Sequence, residues 1–283
     1  MTARRGTLAT GLLLLPAALA FLGLFVAPLG YFFVQSFWKA SSFRIVPDFQ
    51  FDNYARVFTD YGGALGFTLG VAFMAATVAT TIAFLFAYAV RFSLGRAGNV
   101  LLVIALITLF GGYLVKIYAW RTILGLDGIL NSALLSTGLI AEPLPFLLFN
   151  TGAVIVTLTH YLLPLAMLPL FGALRDIDDS EIAAARDMGA GVTRVIIDVV
   201  LPQIRPALLA AFAMCFLLAA GDYVTPSLVG SPGGAMFGNF IQSQFGLRMN
   251  TPLGAAMAFS LIGASLLVLG ATGLALRLGF RAR

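Results

Sequence analysis

Charge is what this chain of 283 residues has least of. Only 10% of its residues are Asp, Glu, Lys or Arg, against about 25% in a soluble globular domain. So little charge cannot cover a water-facing surface. Cysteine is nearly missing too. Cys215 stands alone, so no disulfide closes within the chain and no cysteine metal cluster forms; the expectation is a small buried hydrophobe. His160 is the one histidine, with no second ligand near it in sequence, and reads as a hydrogen-bonded core residue rather than a metal ligand or proton relay. The lysines are Lys39 and Lys116. Neither follows a glycine-rich turn, and no GxxxxGK[ST] phosphate loop is present, so energy for uphill work has to come from another chain. The net charge of +5 is scattered over the ends of apolar runs rather than clustered, which excludes a nucleic-acid partner.

What the chain has instead is oil. Hydrophobic residues make up 60% of it, in uncharged runs long enough for the roughly 20 residues a bilayer span needs. The expected fold is an all-α membrane protein, one transmembrane domain over 1–283. Six spans are expected at about 8–37, 64–90, 100–118, 149–174, 207–228 and 252–276. Arg4 and Arg5 followed by an apolar core resemble a signal peptide, but the uncharged run lasts to Trp38, beyond the roughly 7–15 residues of a signal core, so a retained first span is expected. Pro16 and Pro28 are candidates for kinks in span one. Gly62, Gly66 and Gly70 open span two at a spacing that allows close helix contact. Residues 120–145, interrupted by Asp127, Gly128, Asn131, Glu142, Pro143 and Pro145, read as an external hairpin or interfacial helix, and 229–250 as an external loop. Six spans place both termini on one side. Arg91, Arg96, Arg175, Arg186, Arg194 and Arg205 fall on that side with the arginines of both tails, whereas Lys39, Arg44, Arg56, Lys116, Arg121 and Arg248 fall opposite. The excess puts the termini in the cytoplasm.

The densest charge lies in 175–206, which holds Asp176, Asp178, Asp179, Glu181, Asp187 and Asp198. Asp178 with Glu181 three residues on is a capping-box start. A short Ala-rich helix runs to Met188 and breaks at Gly189 and Gly191. A second helix follows, with Val192, Val195, Ile196, Val199 and Val200 on one face and Arg194 and Asp198 as an i,i+4 pair, ended by Leu201-Pro202. The result is a cytoplasmic elbow whose small residues suit insertion into a groove.

The stretch AAARDMGAGVTRVIIDVVLP resembles the coupling loop of ABC-importer permease subunits: Glu-Ala-Ala, three residues, Gly, an apolar run, then Leu-Pro. The pattern's Ala-Ala falls on Ala184 and Ala185, its Gly on Gly189 and its Leu-Pro on Leu201 and Pro202; its Glu position is Ala183 here. YAWRTILG at 118–125, GDYVTPSLVG at 221–230 and FGNFIQSQF at 237–245 are similar to permeases of spermidine/putrescine-type importers, and the likeness covers spans three to six. The resemblance implies a type I importer bundle in a bacterial inner membrane and no covalent chemistry on this chain. It also implies a second permease forming a heterodimer, two copies of a cytoplasmic ATPase that hold ATP and Mg, and an external substrate-binding protein. Ala184, Ala185, Arg186, Asp187, Gly189 and Ala190 are then the ATPase-coupling residues. The cargo it implies is a polyamine or related small organic cation. Opines, amino-acid derivatives, thiamine and ferric iron are alternatives, and a transporter working without ATP is a rival of another class.

Asp222 is an intramembrane carboxylate, which usually faces a cavity; it reads either as a pathway group that attracts an ammonium or as a structural cap where Gly221 and Pro226 break the helix. Tyr223 offers a ring face to a cation or sits in the aromatic belt. Tyr118 and Trp120 are further pathway candidates beside Lys116 and Arg121, for which interface anchoring is the other reading; Lys116 and Arg121 are expected to pair with Asp127 or Glu142 or to snorkel to water.

Overall fold

A computed structural model of the chain describes residues 13–41, 44–108 and 111–279. Arg4, Arg5, residues 8–12 of the expected first span, and Arg281 and Arg283 lie outside the described residues. Its contacts divide it into two units, residues 1–62 with 240–262, and residues 63–239 with 263–283.

In the first unit, helix α1 (Leu13–Gln35) is apolar over its whole length. It carries a π-turn at Leu22–Val26, where the Ala27 N–H bonds to the Leu22 carbonyl. Pro28 follows directly. A proline has no N–H and its ring crowds the carbonyl four residues back, and the wider turn relieves that conflict. A two-stranded hairpin comes next, β1 (Lys39–Ser41) against β2 (Arg44–Val46), antiparallel with Ala40 opposite Ile45. It is braced by aromatic side chains: the Phe37 ring stacks on Phe49 at 4.7 Å and meets Tyr54 at 5.2 Å. Asn53 donates to the carbonyls of Ser36 and Trp38, both at 2.8 Å. Helix α2 (Asp52–Phe92) begins here and runs on through the second unit.

In the second unit, α2 buries Ala72, Ala75, Ala76, Ala79, Ala83 and Ala87 completely. This alanine stripe is its close-packing face. The spacing of Gly62, Gly66 and Gly70 allowed close contact, but a Cβ at any of them would meet nothing within 4 Å among the described residues. Helix α3 (Gly95–Ile107) and helix α4 (Tyr113–Leu124) replace the single span expected at 100–118. Gly112 caps α4 with an extended ψ of 139°, which ends any continuous helix through that point. Helix α5 (Ile129–Ser136) is far too short to cross a bilayer. Buried Asn131 staples its hairpin, accepting from Leu144 N at 2.8 Å and donating to the Gly125 carbonyl at 3.1 Å. Helix α6 (Thr151–Arg175) is N-capped by Asn150 and contains Pro164 and Pro169.

Helix α7 (Asp179–Asp187) is the elbow. Helix α8 (Val192–Ala220) follows without interruption, which corrects the expectation that Leu201-Pro202 ends the elbow's second helix and that a separate span starts near 207. A π-turn at Val195–Val200, closed by Leu201 N–H to the Ile196 carbonyl, absorbs Pro202 as the turn before Pro28 does in α1. Helix α9 (Val224–Val229), helix α10 (Phe237–Phe245) and helix α11 (Thr251–Gly279) complete the chain. The helix α10 is a correction too, since 229–250 was expected to be loop.

Among the described residues, five helices (α1, α2, α6, α8 and α11) are long and apolar enough to cross a membrane, with Ala97–Ile107 a shorter apolar helix. The tightest seam joins α6 and α8. Leu158, Leu162, Ala166, Leu170 and Leu174 form a fully buried i,i+4 ridge on α6, and Ala211, Cys215, Phe216 and Ala219 are buried on α8. Ridge-into-groove packing accounts for such spacing. The thiol of Cys215 lies 3.7 Å from the Leu162 carbonyl, the buried place expected of it.

Candidate functional site

Two places gather the chemistry. The first is the elbow. Asp178 caps α7 by accepting from Ser180 N at 2.9 Å. That hydrogen bond, made to the ionised carboxylate, holds its pKa below the ordinary value of 3.8. Glu181 does not close the expected capping box; its carboxylate accepts from Gln203 Nε2 on α8. Arg91, at the end of α2, donates to Asp179 Oδ1 at 2.7 Å and to the Ile177 carbonyl at 3.3 Å. The elbow is therefore tied to two long helices.

Its tip is a Schellman motif. Gly189 N bonds to the Arg186 carbonyl at 2.8 Å and Ala190 N to the Ala185 carbonyl at 3.0 Å. Gly189 sits at φ +85° with nothing within 4 Å of where a Cβ would be. Glycine is required there by the left-handed backbone rather than by crowding within this chain. Ala185 is buried, Ala190 half-buried, and Ala184, Arg186 and Asp187 are exposed. Met188 is 83% exposed and Val192 58%. Val192 thus departs from the buried face expected of it, while Val195 and Val200 are fully buried. The exposed Met188 was not among the expected coupling residues. Its signal was present in the text: a large apolar residue placed immediately before the turn glycine.

The second place is a cleft of about 400 Å³ lined by Tyr113, Leu114, Tyr161, Leu218, Gly221, Asp222, Tyr223 and Val224. Asp222 Oδ1 accepts from the Tyr113 hydroxyl at 2.5 Å, from Val224 N at 2.8 Å and from Thr225 N at 3.2 Å, and Oδ2 accepts from the Thr225 hydroxyl at 2.5 Å. The carboxylate accepts from two first-turn amides of α9, the structural role expected where Gly221 and Pro226 break the helix, and it also borders the cleft. Tyr223 is exposed beside it. The packing behind is close. A Cβ on Gly238 would lie 3.0 Å from the Asp222 carbonyl oxygen, and one on Gly230 would lie 2.5 Å from the Pro226 carbonyl oxygen. Asn239 Nδ2 donates to the Tyr223 carbonyl at 2.8 Å and to Ser227 Oγ at 2.7 Å. The glycines and asparagine of 221–239 form one supporting scaffold.

Tyr118 and Trp120 do not line this cleft. Trp120 shares a helix face with Tyr113, but seven residues further on, about 10 Å along the axis. It meets His160 edge to face at 5.9 Å. Tyr118 projects from a different face and is exposed. His160 is exposed rather than a core residue, because its position on α6 is off the buried ridge. Lys116 is buried with its ammonium 5.6 Å from the Tyr161 ring centroid. That ring face, rather than Asp127 or Glu142, is its neighbour. Tyr113 was expected to anchor the interface with Lys116, Tyr118, Trp120 and Arg121, whereas here its hydroxyl bonds Asp222; Tyr161 and Thr225 were not singled out from the sequence, since such residues at span ends carry no distinguishing local mark.

A helical membrane bundle with a polar elbow and a buried, hydrogen-bonded carboxylate beside a cleft fits a transport subunit. Residues 81–277 match the family described as "Binding-protein-dependent transport system inner membrane component", and the chain belongs to that family. It is an ABC-importer permease of the inner membrane, a non-catalytic subunit. It is 30% identical over 212 residues to the spermidine/putrescine transport system permease protein PotB of Haemophilus influenzae, covering 74% of this chain and 73% of that one. The Escherichia coli (strain K12) PotB is 30% identical over 214 residues, covering 75% and 78%. A putative 2-aminoethylphosphonate transport system permease protein, PhnU of Salmonella typhi, is 37% identical over 116 residues, 41% of this chain and 40% of that one. Among solved structures, a bacterial ABC transporter involved in import of the acidic polysaccharide alginate superposes with a TM-score of 0.77 at 17% identity, covering 97% and 96% of the two chains. The MetNI methionine ABC transporter superposes with a TM-score of 0.54 at 19% identity, covering 76% and 94%. These structures share the fold with this chain.

Proposed function

We propose that this permease pairs with a second permease as a heterodimer in a transporter holding two copies of a cytoplasmic ATPase, docks one of them through its elbow, and passes a polyamine delivered by an external binding protein. ATP and Mg belong to the ATPase. The observation that carries this reading is the elbow tip, a capped nine-residue helix ending in exposed Met188 beside Gly189. Met188 and Val192 are two exposed apolar side chains on either side of the Gly189 turn, and with the coupling-loop pattern around them they support a contact surface at this tip. Ala184, Ala185, Arg186, Asp187, Gly189 and Ala190 surround it. With Ala183 at the pattern's Glu position, shape at the tip carries the coupling instead of a salt bridge. Because α8 is unbroken from Val192 to Ala220, displacement of the elbow by ATPase closure moves a bilayer-length helix as one body, a rigid-body switch.

The cargo reading rests on the PotB relatives and on the cleft, where Asp222 and the Tyr113, Tyr161 and Tyr223 rings suit an ammonium group. Trp120 and Tyr118 are then positions on its approach. Cross-linking from Met188→Cys tests the coupling. In the assembled transporter it should bond to a cysteine in the ATPase, and ATP should change the yield. A full library of ATPase cysteines with no cross-link would remove the elbow from that interface. Uptake of labelled spermidine by proteoliposomes of the complete transporter tests the cargo, with putrescine and 2-aminoethylphosphonate as competitors.

A further inference from the structure

Arg91 and Arg175 lie at the elbow-side ends of α2 and α6, and with the first turn of α3 they enclose an open pocket of about 550 Å³ lined by Val90, Arg91, Gly95, Asn99, Phe171 and Arg175. We propose that this pocket binds the phosphate of an anionic phospholipid headgroup. The charged lining is all cationic, and the Asn99 amide can turn its NH2 toward an anion. Arg91 uses only its Nη2 nitrogen on Asp179 and Ile177, leaving Nε and Nη1 of its five-donor guanidinium available. Arg175 and the Asn99 side chain are exposed and make no hydrogen bond or ion pair among the described residues. Gly95, at φ +49°, presents backbone to the pocket with no side chain in the way. Two guanidinium groups and an amide around one space suit a tetrahedral oxyanion, since guanidinium forks match phosphate geometry.

Position selects a lipid over a free anion. Phe171 and Val90 make the remaining wall apolar, and the pocket lies where two apolar spans end, on the side to which the arginine excess assigns the cytoplasm. Basic pockets between transmembrane helices on that side of a membrane take acidic headgroups. The site also borders the elbow: the Arg91 side chain that would hold phosphate already holds Asp179, the first residue of α7. An occupied pocket fixes the Arg91 guanidinium, and with it the elbow's anchor.

The assembled transporter, in nanodiscs of phosphatidylcholine with phosphatidylglycerol, tests this by native mass spectrometry of the retained lipid. Arg175→Gln, at a side chain with no hydrogen bond or ion pair to α7 among the described residues, should lower phosphatidylglycerol retention about fivefold, the share of one basic residue near an anionic surface. Arg175→Lys should restore most of it, and ATP hydrolysis should respond to phosphatidylglycerol in the parent protein more than in Arg175→Gln. Equal retention by Arg175→Gln and the parent would overturn the site. Displacement of the lipid by inorganic phosphate would overturn the lipid as occupant. Loss of the ATPase from Arg175→Gln with lipid retention unchanged would assign the pocket to that protein instead and overturn the proposal.

Discussion

Replacing Asp222 separates its two duties. Its carboxylate gathers four donors: the hydroxyls of Tyr113 and Thr225 and the amides of Val224 and Thr225. In Asp222→Asn the carbonyl oxygen keeps the Tyr113, Val224 and Thr225 amide contacts as neutral bonds. The new amide nitrogen faces the Thr225 hydroxyl, which can rotate to accept. Hydrogen bonds to charged groups are worth about 1.5–3 kcal/mol each and neutral ones about 0.5–1.5. Loss of the buried charge's desolvation cost offsets part of the difference, so the net destabilisation should be about 1–2 kcal/mol. In Asp222→Ala all four donors lose their acceptor, two of them in the first turn of α9. The Tyr113 and Thr225 hydroxyls, 3.1 Å apart, can then bond each other, so three donors are left at about 1–3 kcal/mol each and the loss should be about 3 kcal/mol or more. Thermal unfolding of the complete transporter in nanodiscs should therefore rank parent, Asn, then Ala, with a small first step and a large second one. ATP-driven spermidine uptake should fall in the Asn variant although the complex still assembles, because the negative field at the cleft is gone. If Asn were as destabilising as Ala, the bonding scheme would be wrong. If Asn left uptake unchanged, Asp222 would be a cap alone.

Three further outcomes follow from the geometry. At Gly189, a left-handed L-residue costs about 1–2 kcal/mol, with Asn tolerated best. Coupling of ATP hydrolysis to uptake should thus decline in the order Gly, Asn, Ala, and Gly189→Trp should abolish it while the chain still inserts; transport surviving Trp would refute docking at the tip. Gly238→Ala presses a methyl against the Asp222 carbonyl and Tyr223 Cβ, an overpacking cost of about 1–3 kcal/mol, and a melting temperature equal to the parent's would show that α10 does not pack there. The lowered pKa of Asp178 means that its cap contributes fully above the unfolded carboxyl pKa and is lost as pH falls through the lower folded value. Hydrogen-exchange protection of the Ser180 amide, corrected for intrinsic rate, should accordingly drop below about pH 4. Asp178→Asn, itself a good cap, should flatten that dependence.

Much of this protein was legible because its signals are local. Hydropathy marked the apolar runs, since backbone polar groups in lipid must bond within their own helix. The elbow's start and stop were visible because a cap or a left-handed glycine acts within one turn. Misreadings arose where one local rule met another constraint. Pro202 was taken as a helix end, but a π-turn carries the helix past it. The Gly62, Gly66 and Gly70 spacing allowed close helix contact, but within this chain the buried alanines from Ala72 to Ala87 supply it. Glycine spacing says that close approach is possible, not which neighbour comes close.

The sequence by itself determined that this is a multi-span membrane protein lacking its own phosphate loop, with one polar elbow whose turn must contain glycine. Only the tertiary structure decided what the elbow is fastened to and what the buried carboxylate does. Arg91 reaches Asp179 across 88 residues, Tyr113 reaches Asp222 across 109, and Thr68 receives the amide of Phe237 across 169. No periodicity or cap pairs residues so far apart. Their meeting is set by which helices lie side by side, and that follows from packing the buried faces of α2, α6 and α8 together rather than from any stretch of the chain read alone.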